Sequence, residues 1–212
     1  MSYQVKEIFY TLQGEGVQAG RPAVFCRFSG CNLWNGDPAQ LKSSLCWFCD
    51  TDFAGTDGEN GGIYQGPGEL ADVIGSLWPG ITGKGQPFTV LTGGEPALQV
   101  DEALLEGLRS RGFEIAVETN GTLTLPKGWD WVCVSPKSGT RLKVLQGNEL
   151  KVVYPQDNLD PGEYKDLEFD HFLVQPRDGP DYRENLHKAV RYCLDNPGWR
   201  LSLQIHKIIG IP

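Results

Sequence analysis

Three cysteines whose spacing suits metal chemistry lie in the first quarter of the chain. Cys31, Cys46 and Cys49 form the pattern C-x14-C-x2-C, and the C-x2-C spacing lets two thiolates turn toward one metal centre. A closed zinc site needs a fourth ligand, yet the three histidines follow only from His171 onward. A [4Fe–4S] cluster held by three cysteines leaves one iron open to a small molecule. The number and spacing therefore favour a cluster, and zinc stays the alternative.

The other three cysteines, Cys26, Cys133 and Cys193, occupy apolar positions of predicted strands or a helix, and we expect them to be buried core thiols. Cys26 is the rival cluster ligand, because it lies only five residues before Cys31. We reject it because Cys26 belongs to the apolar run PAVFCRF, which predicts a strand.

Aromatic side chains flank the three cysteines, at Trp34, Trp47 and Phe48. They would shield a cluster from water and tune its potential. Simple hydrophobic cover explains them equally well.

Polar residues follow several predicted strands at the point where each strand ends. In parallel α/β folds the ligand site lies beyond the carboxyl ends of the strands. Residues that only stop a strand are usually Gly, Asn or Asp, whereas these ends also carry Glu, Lys, Gln and His, which favours a site. The segments are 92–96, 118–121, 135–137, 175–176 and His206.

The elements that must position these residues alternate between strands and helices. Periodic apolar residues predict helices at 67–78, 100–112 and 181–196. The alternation implies parallel strands with right-handed crossovers, hence an α/β fold that is either an open sheet or a partial barrel. The Gly-rich segment 54–68 is expected to be a long loop. Strands are predicted at 87–94, 113–121, 129–137, 149–154, 171–176 and 200–206.

Length and charge narrow the range of functions. The 212 residues, 40% of them hydrophobic, suit one domain spanning residues 1–212. The net charge of -8 argues against a nucleic-acid partner, because phosphate binding needs clustered Lys and Arg. There is no apolar run of the length that a signal or membrane segment needs. We therefore expect a soluble cytoplasmic protein with no membrane partner and with reduced cysteines.

The cysteine region resembles the radical S-adenosylmethionine superfamily. The usual pattern there is C-x3-C-x2-C, with an aromatic residue before the last cysteine and a GGEP segment after the next strand. Phe48 and segment 93–96 match these features, whereas the fourteen residues between Cys31 and Cys46 depart from them. Because the cost of loop closure rises slowly with length, an expanded cluster loop at about 31–49 is tolerable.

Within that superfamily the chain is similar to the 7-carboxy-7-deazaguanine synthase family of queuosine biosynthesis, which carries such an expansion. The similarity extends over nearly the whole chain, and the order and spacing of the motifs together make it specific. The motifs are FYTLQGEG (9–16), GRPAVFCRFSGCNLW (20–34), CDTDF (49–53), LTGGEP (91–96), VETNG (117–121), VSPK (134–137), ELKVV (149–153), FLVQP (172–176) and HKIIGIP (206–212).

The resemblance implies a partial (β/α)6-like TIM-type barrel. It further implies that Cys31, Cys46 and Cys49 hold a [4Fe–4S] cluster whose open iron binds S-adenosylmethionine. The residues that it places at this cofactor are Phe48, Gly94, Glu95, Glu118, Ser135, Pro136, Lys137 and Gln175.

The implied enzyme is a lyase that acts on 6-carboxy-5,6,7,8-tetrahydropterin. Hydrogen abstraction at C6, ring contraction and loss of ammonia give 7-carboxy-7-deazaguanine. Arg27 suits the substrate carboxylate because a guanidinium binds it through two hydrogen bonds, and Pro212 would offer its chain-end carboxylate. The implied substrate residues are Leu12, Gln13, Gly14, Glu15, Gly16, Arg27, Thr92, His206 and Pro212.

Several of these assignments have plainer alternatives. Gly93 and Gly94 could bring backbone close to the methionine group or form only a tight turn. Lys137 could be an ordinary surface lysine and Arg27 a strand residue with an exposed head. His206 could be a satisfied core histidine.

The resemblance also implies Mg2+ at Thr51. Asp50, Thr51 and Asp52 carry the hard oxygen atoms that Mg2+ prefers, although the two carboxylates could equally cap a turn or pair with lysines. A flavodoxin or ferredoxin is implied as the electron donor, and homodimers are common in the family.

Two other functions compete with this one. The first is an activase of the same superfamily that installs a glycyl radical on a partner protein; LQGEG and the HKIIGIP tail suit a small ligand better. The second is a non-enzymatic, zinc-stabilised binding module, which metal analysis would reveal.

Overall fold

The computed structural model describes residues 2–80 and 85–212. The strands in these ranges are β1 (Tyr3–Leu12), β2 (Pro22–Phe28), β3 (Gly62–Tyr64), β4 (Phe88–Gly93), β5 (Glu114–Thr119), β6 (Trp131–Val134), β7 (Gln146–Tyr154), β8 (Glu168–Pro176) and β9 (Trp199–Leu201). The α-helices are α1 (Pro67–Leu77), α2 (Glu102–Arg109), α3 (Tyr182–Asp195) and α4 (Ile205–Ile209), and short 3-10 helices cover Pro38–Ser43, Pro96–Leu98 and Pro161–Tyr164.

All of these strands belong to one sheet, in the order β3-β1-β2-β4-β5-β6-β7-β8-β9. β1 runs antiparallel to β2 and β3, whereas every pairing from β2 to β9 is parallel. The order places β3 at one edge and β9 at the other, so the described strands form a partial barrel that is not closed. This confirms the predicted α/β class and its partial-barrel architecture.

Helices α1, α2 and α3 lie close to their predicted positions, because each shows a clear sequence signal. Pro67 opens α1, where a missing N–H costs nothing. The Asp101 side chain accepts a hydrogen bond from the Leu104 N–H and so caps α2. None of the described helices is long and apolar enough to cross a membrane.

Two larger apolar clusters hold the layers together. One lies between β1, β2, β4 and β5 on one side and helices α1 and α2 on the other, and Phe28, Leu70 and Leu104 are fully buried there. The second lies beneath α3 and includes Leu150 and Val174. The rigid sheet that results fixes the positions of the strand ends.

All six cysteines lie in the described ranges and are free thiols. Cys26 and Cys133 are buried, as predicted from their apolar positions. Cys193, on α3, is only half-buried and packs at the edge of the second apolar cluster. The prediction of a buried thiol is therefore wrong for Cys193.

The predicted loop at 54–68 is wrong in part, since it contains β3. This strand of three residues pairs with β1 at the edge of the sheet, where Tyr3 lies opposite Tyr64. Its Gly-rich surroundings conceal the strand signal. The strict alternation of strands and helices also fails after β5: in the described structure, one short 3-10 helix at Pro161–Tyr164 is the only helix between β5 and β8.

The predicted strand at 200–206 is correct only in its first residues. β9 ends at Leu201, and α4 begins at Ile205. The chain leaves the sheet because the Ile205 N–H donates to the carbonyl of Gly14, on the far side of the barrel opening. His206 therefore lies on a short helix and not at a strand end.

Candidate functional site

A cavity of about 370 Å³ opens at the carboxyl ends of the parallel strands, as the sequence predicts. Its volume lies within the range typical of small-molecule sites. Most of the predicted site residues line it: Leu12, Gln13, Gly14, Glu15, Arg27, Cys31, Cys46, Phe48, Cys49, Thr51, Thr92, Gly94, Glu118, Ser135, Lys137, Gln175, His206 and Pro212.

The three cysteines of the C-x14-C-x2-C pattern reach this cavity from one side. Cys31 follows β2, whereas Cys46 and Cys49 lie after the 3-10 helix Pro38–Ser43 and are joined by a hydrogen bond from the Cys49 N–H to the Cys46 carbonyl of 3.0 Å. A hydrogen bond from the Cys46 thiol lowers the pKa of Cys49 to about 7. Cys49 is thus readily available as a thiolate, the form that binds metal.

The three thiols can serve a [4Fe–4S] cluster together, because each cysteine of such a cluster binds a different iron atom. Cys26, the rejected ligand, is fully buried on β2 and does not line the cavity.

The aromatic residues near the cysteines divide into two groups. Trp34 and Phe48 line the cavity, and Trp34 packs edge-on against Phe53 with ring centroids 5.2 Å apart. Trp47 instead lies outside, 37% exposed, with the Arg177 guanidinium 4.5 Å from its ring centroid. Trp34 and Phe48 therefore share the cavity with the thiols, and Trp47 lies outside it.

The GGEP turn brings backbone to the cavity at the end of β4. Gly93 has φ 146°, and the Gly94 N–H donates to the carbonyl of Phe28 over 3.1 Å. A side chain at Gly94 would overlap the Gly30 carbonyl, so the position requires glycine. The tight turn considered from the sequence is therefore present, and Gly93 and Gly94 also line the cavity.

Glu95 lies behind the cavity wall, contrary to the expectation of a cofactor contact. It is fully buried, and its carboxylate accepts hydrogen bonds from the Thr119 hydroxyl (2.7 Å) and from the N–H groups of Asn120 (2.8 Å) and Ala97 (3.0 Å). Burial raises the pKa of Glu95. Its role here is to tie the end of β4 to the end of β5.

Pro136 and Gly16 also lie off the cavity wall. Pro136 is buried, and its carbonyl accepts from Gln156. Gly16, at φ 69°, donates its N–H to the Ser202 hydroxyl over 3.0 Å. Each of them adjoins a residue that does face the cavity: Pro136 precedes Lys137, and Gly16 follows Glu15.

Lys137 faces the cavity after β6. Its ammonium donates to the carbonyl and to the hydroxyl of Ser135, each over 2.7 Å. The contact folds the side chain back onto its own strand end, so the cation lies at the cavity wall and not on the outer surface. The plainer alternative of an ordinary surface lysine does not describe this arrangement.

The LQGEG loop forms the opposite wall and is held by buried polar contacts. Gln13 donates to the Glu118 carboxylate over 2.8 Å, and Glu15 accepts from Gln204 over 2.9 Å and from the ammonium of Lys151. Burial alone would raise the pKa of Glu15, but the Lys151 charge and these donors lower it to about 2. Glu15 is therefore ionised at neutral pH.

Arg27 and His206 complete this side of the cavity. The Arg27 Nε donates to Glu7 over 2.7 Å, and its side chain is 20% exposed. The His206 ring packs so tightly against Gly14 that a side chain at Gly14 would overlap it. The Pro212 carbonyl accepts from the Thr11 hydroxyl over 3.1 Å, which brings the described end of the chain to the cavity.

Thr51 faces the cavity between two carboxylates that are already engaged. Asp50 pairs with Lys207 over 2.5 Å, and Asp52 pairs with Lys6 over 3.0 Å. Both acidic residues thus pair with lysines, one of the alternatives considered from the sequence. Thr51 lies between them in sequence and lines the cavity.

Sequence reasoning missed several polar residues that line the cavity, among them Lys151, Gln204 and Lys207. Lys151 lies inside ELKVV, where the period of two in a strand places it on the face of Val153 and Glu149. A lysine within an apolar strand was the available signal. Gln204 carried none, because the strand prediction for 200–206 misplaced it, and Lys207 lies just beyond that predicted strand.

Comparison with known proteins gives full-length matches. The chain is 56% identical over 211 residues to the 7-carboxy-7-deazaguanine synthase of Bradyrhizobium diazoefficiens and 55% identical over 212 residues to that of Burkholderia multivorans, with complete coverage of both partners in each case. A 7-carboxy-7-deazaguanine synthase of Bacteroides thetaiotaomicron is 41% identical over 211 residues, again with complete coverage. No family model matches the chain.

A solved structure is similar over the same extent. The crystal structure of QueE from Escherichia coli superimposes with a TM-score of 0.69 and 27% identity, covering 97% of this chain and 95% of that one. The sequence matches and the structural match therefore both extend over nearly the whole chain.

Proposed function

The chain belongs to the 7-carboxy-7-deazaguanine synthase family, and from this premise we propose that its cavity converts 6-carboxy-5,6,7,8-tetrahydropterin into 7-carboxy-7-deazaguanine. The reaction is a radical ring contraction with loss of ammonia, in the biosynthesis of queuosine. The observation that carries the proposal is the meeting of three thiols, the GGEP turn and the LQGEG loop around one cavity, in a chain 56% identical to a synthase over its whole length.

Cys31, Cys46 and Cys49 are the residues proposed to hold the [4Fe–4S] cluster. When bound, the cluster supplies the electron that cleaves S-adenosylmethionine. Support comes from the cavity that the three thiols share and from the lowered pKa of Cys49. Trp34 and Phe48 exclude water from this end of the cavity.

S-adenosylmethionine is proposed to lie along the strand ends next to the thiols. The backbone at Gly94 is free of a side chain, and Glu118 and Ser135 offer hydrogen-bond partners for hydroxyl and amino groups. Lys137 supplies a cation for a carboxylate. The residues in this group are Phe48, Gly94, Glu118, Ser135, Lys137 and Gln175, with Glu95 and Pro136 acting from behind the wall.

The pterin is proposed to lie between the LQGEG loop and the carboxy-terminal tail. Arg27 is the cation for the substrate carboxylate, and Glu15 is an ionised acceptor for N–H groups of the pyrimidine edge. The wall residues in this group are Leu12, Gln13, Gly14, Glu15, Arg27, Thr92, His206 and Pro212, and Gly16 supports them through Ser202. Thr51 is the proposed Mg2+ ligand.

Two further parts of the proposal concern partners. A recess of about 290 Å³ lies beside Cys49 and is lined by Trp47 and Phe48, which supports the approach of an electron donor such as flavodoxin or ferredoxin from this side. We also propose a homodimer. Sedimentation of the reconstituted protein at the mass of one 23.4 kDa chain would refute the dimer.

The activity test is an anaerobic incubation of the reconstituted protein with reductant, S-adenosylmethionine, Mg2+ and 6-carboxy-5,6,7,8-tetrahydropterin. Mass spectrometry is expected to show 7-carboxy-7-deazaguanine, and iron and sulfide analysis is expected to show a cluster. Bound zinc without sulfide would favour the binding module instead. A cluster that cleaves S-adenosylmethionine but leaves the pterin unchanged would refute the substrate assignment.

A further inference from the structure

Lys151 is a buried cation placed between two carboxylates of the cavity. Its side chain on β7 is 3% exposed; its ammonium bonds to Glu15 and lies 3.5 Å from an oxygen of Glu118. Burial alone would lower the pKa of Lys151, but the charges of Glu118 and Glu15 raise it well above its ordinary value. The lysine is therefore charged, and removal of either the lysine or its carboxylate partners would leave buried charge unpaired.

The two carboxylates belong to different parts of the site. Glu15 lies on the LQGEG loop, where the pterin is proposed to bind, and Glu118 ends β5, where S-adenosylmethionine is proposed to bind. Gln13 links them as well, since its amide donates to Glu118 over 2.8 Å and accepts from the Glu15 N–H over 3.1 Å. Lys151, Glu15, Gln13 and Glu118 thus form a closed ring of contacts.

The neighbouring position on the same face of β7 strengthens the ring. Glu149 is 3% exposed and accepts from the Val17 N–H over 2.8 Å, which fixes the far end of the LQGEG loop. Residues 149 and 151 therefore act on the same loop from one rigid strand. Within the ring, Lys151 is the residue whose charged group pairs with both carboxylates.

We propose, on the basis of the function proposed above, that Lys151 is a positioning residue that couples the pterin subsite to the S-adenosylmethionine subsite by holding Glu15 and Glu118 in one arrangement. Without its charge the two carboxylates repel each other, and one of them moves away or takes up a proton. The two subsites then bind their ligands independently. Cofactor cleavage in turn no longer depends on a correctly placed pterin.

The test compares the reconstituted wild-type protein with its Lys151→Met variant, whose side chain at position 151 has a similar length but no charge. S-adenosylmethionine affinity is measured by anaerobic equilibrium dialysis with and without 7-carboxy-7-deazaguanine. Turnover gives the ratio of 5′-deoxyadenosine to 7-carboxy-7-deazaguanine. Lys188→Met is the control, because Lys188 pairs with Glu184 on the outer surface of α3, where both side chains are about half exposed or more.

In the wild-type and Lys188→Met proteins we expect the deazaguanine to tighten S-adenosylmethionine binding by about 10-fold, a usual size for coupling between sites. In Lys151→Met this effect should fall to about 2-fold or less, and the ratio of 5′-deoxyadenosine to product should rise about 10-fold. A purely structural role would lower the melting temperature and leave both quantities unchanged.

Coupling retained in folded Lys151→Met, or absent from the wild type, would overturn the inference. If Lys151→Met does not fold, the Lys151→Met/Glu15→Gln variant replaces it, because a neutral residue at position 15 needs no cation beside it. Coupling that is retained in this folded double variant overturns the inference equally. A wild-type protein that makes no 7-carboxy-7-deazaguanine would refute the proposed function itself, which separates that failure from the failure of the coupling.

Discussion

Replacement of Glu95 by alanine should destabilise the protein strongly without weakening its contacts to S-adenosylmethionine. The carboxylate is fully buried and accepts from Thr119, Asn120 and Ala97. Each buried donor left without an acceptor costs about 1–3 kcal/mol. Because the Thr119 hydroxyl can rotate to another acceptor, two N–H donors remain unpaired, and we expect Glu95→Ala to cost about 2–6 kcal/mol, a large part of the usual stability of about 5–15 kcal/mol.

For a chain of this length, each kcal/mol lowers the melting temperature by about 2–4 °C, so Glu95→Ala should melt about 4–24 °C below the wild type. Glu95→Gln should fall between the two, since its amide retains one accepting oxygen but opposes the remaining donors with an NH2 group. Circular dichroism measures the melting temperature. Glu106→Ala on the exposed face of α2 is the control, and surface changes of this kind usually cost less than about 0.5 kcal/mol.

The same proteins distinguish support from direct contact. S-adenosylmethionine affinity, measured well below the melting transition, should stay within about 3-fold of the wild type, a difference of less than about 1 kcal/mol. A variant that melts like the wild type but binds S-adenosylmethionine more than about 10-fold more weakly would refute the reasoning, because Glu95 would then contact the cofactor.

Three further sets of changes test other parts of the site. The pKa of Glu15 is lowered from 4.5 to about 2 in the folded protein, so its contribution to stability is complete above about pH 4.5 and is lost as the pH falls toward 2. In Glu15→Gln the unfolding free energy should therefore change less with pH across that interval. Urea titrations that give the same pH profile for the variant and the wild type would contradict this. Cys26→Ala should retain wild-type iron and sulfide while Cys49→Ala loses them, and cluster loss from Cys26→Ala would reinstate Cys26 as a ligand. Thr51→Ala should give turnover that no longer depends on Mg2+, and unchanged dependence would remove Thr51 from the metal site.

The sequence was informative wherever a local signal decided the structure. Asp101 caps α2, Pro67 opens α1, and the apolar runs from 87 to 176 became the parallel strands. The location of the site beyond the strand ends followed from the topology alone. The three thiols were found from their spacing, because the short C-x2-C pattern is itself local.

Local signals of this kind could not predict contacts between segments that are distant in sequence. Lys151 is 136 residues from Glu15 and 33 from Glu118, so its pairing depends on how β7 faces the LQGEG loop. The type of residue at a strand end was likewise insufficient: Glu95 and Lys137 both follow strands, yet Glu95 turns inward to backbone donors and Lys137 stays at the cavity wall.

The carboxy-terminal tail shows how tertiary contacts override a local pattern. Alternating apolar and polar residues in RLSLQIH are typical of a strand, but β9 ends at Leu201, and the Ile205 N–H donates to the carbonyl of Gly14 in the LQGEG loop. The short helix α4 follows, and it brings Lys207 to Asp50 beside the cluster loop.

The central claim is that this cavity contracts the pterin ring, and the nitrogen balance of the reaction tests it most directly. Under anaerobic conditions with S-adenosylmethionine, Mg2+ and a reductant, we expect the reconstituted protein to release one ammonia for each 7-carboxy-7-deazaguanine formed, and the Cys49→Ala protein to form neither. Consumption of the pterin without ammonia, or equal product from the Cys49→Ala protein, would contradict the account.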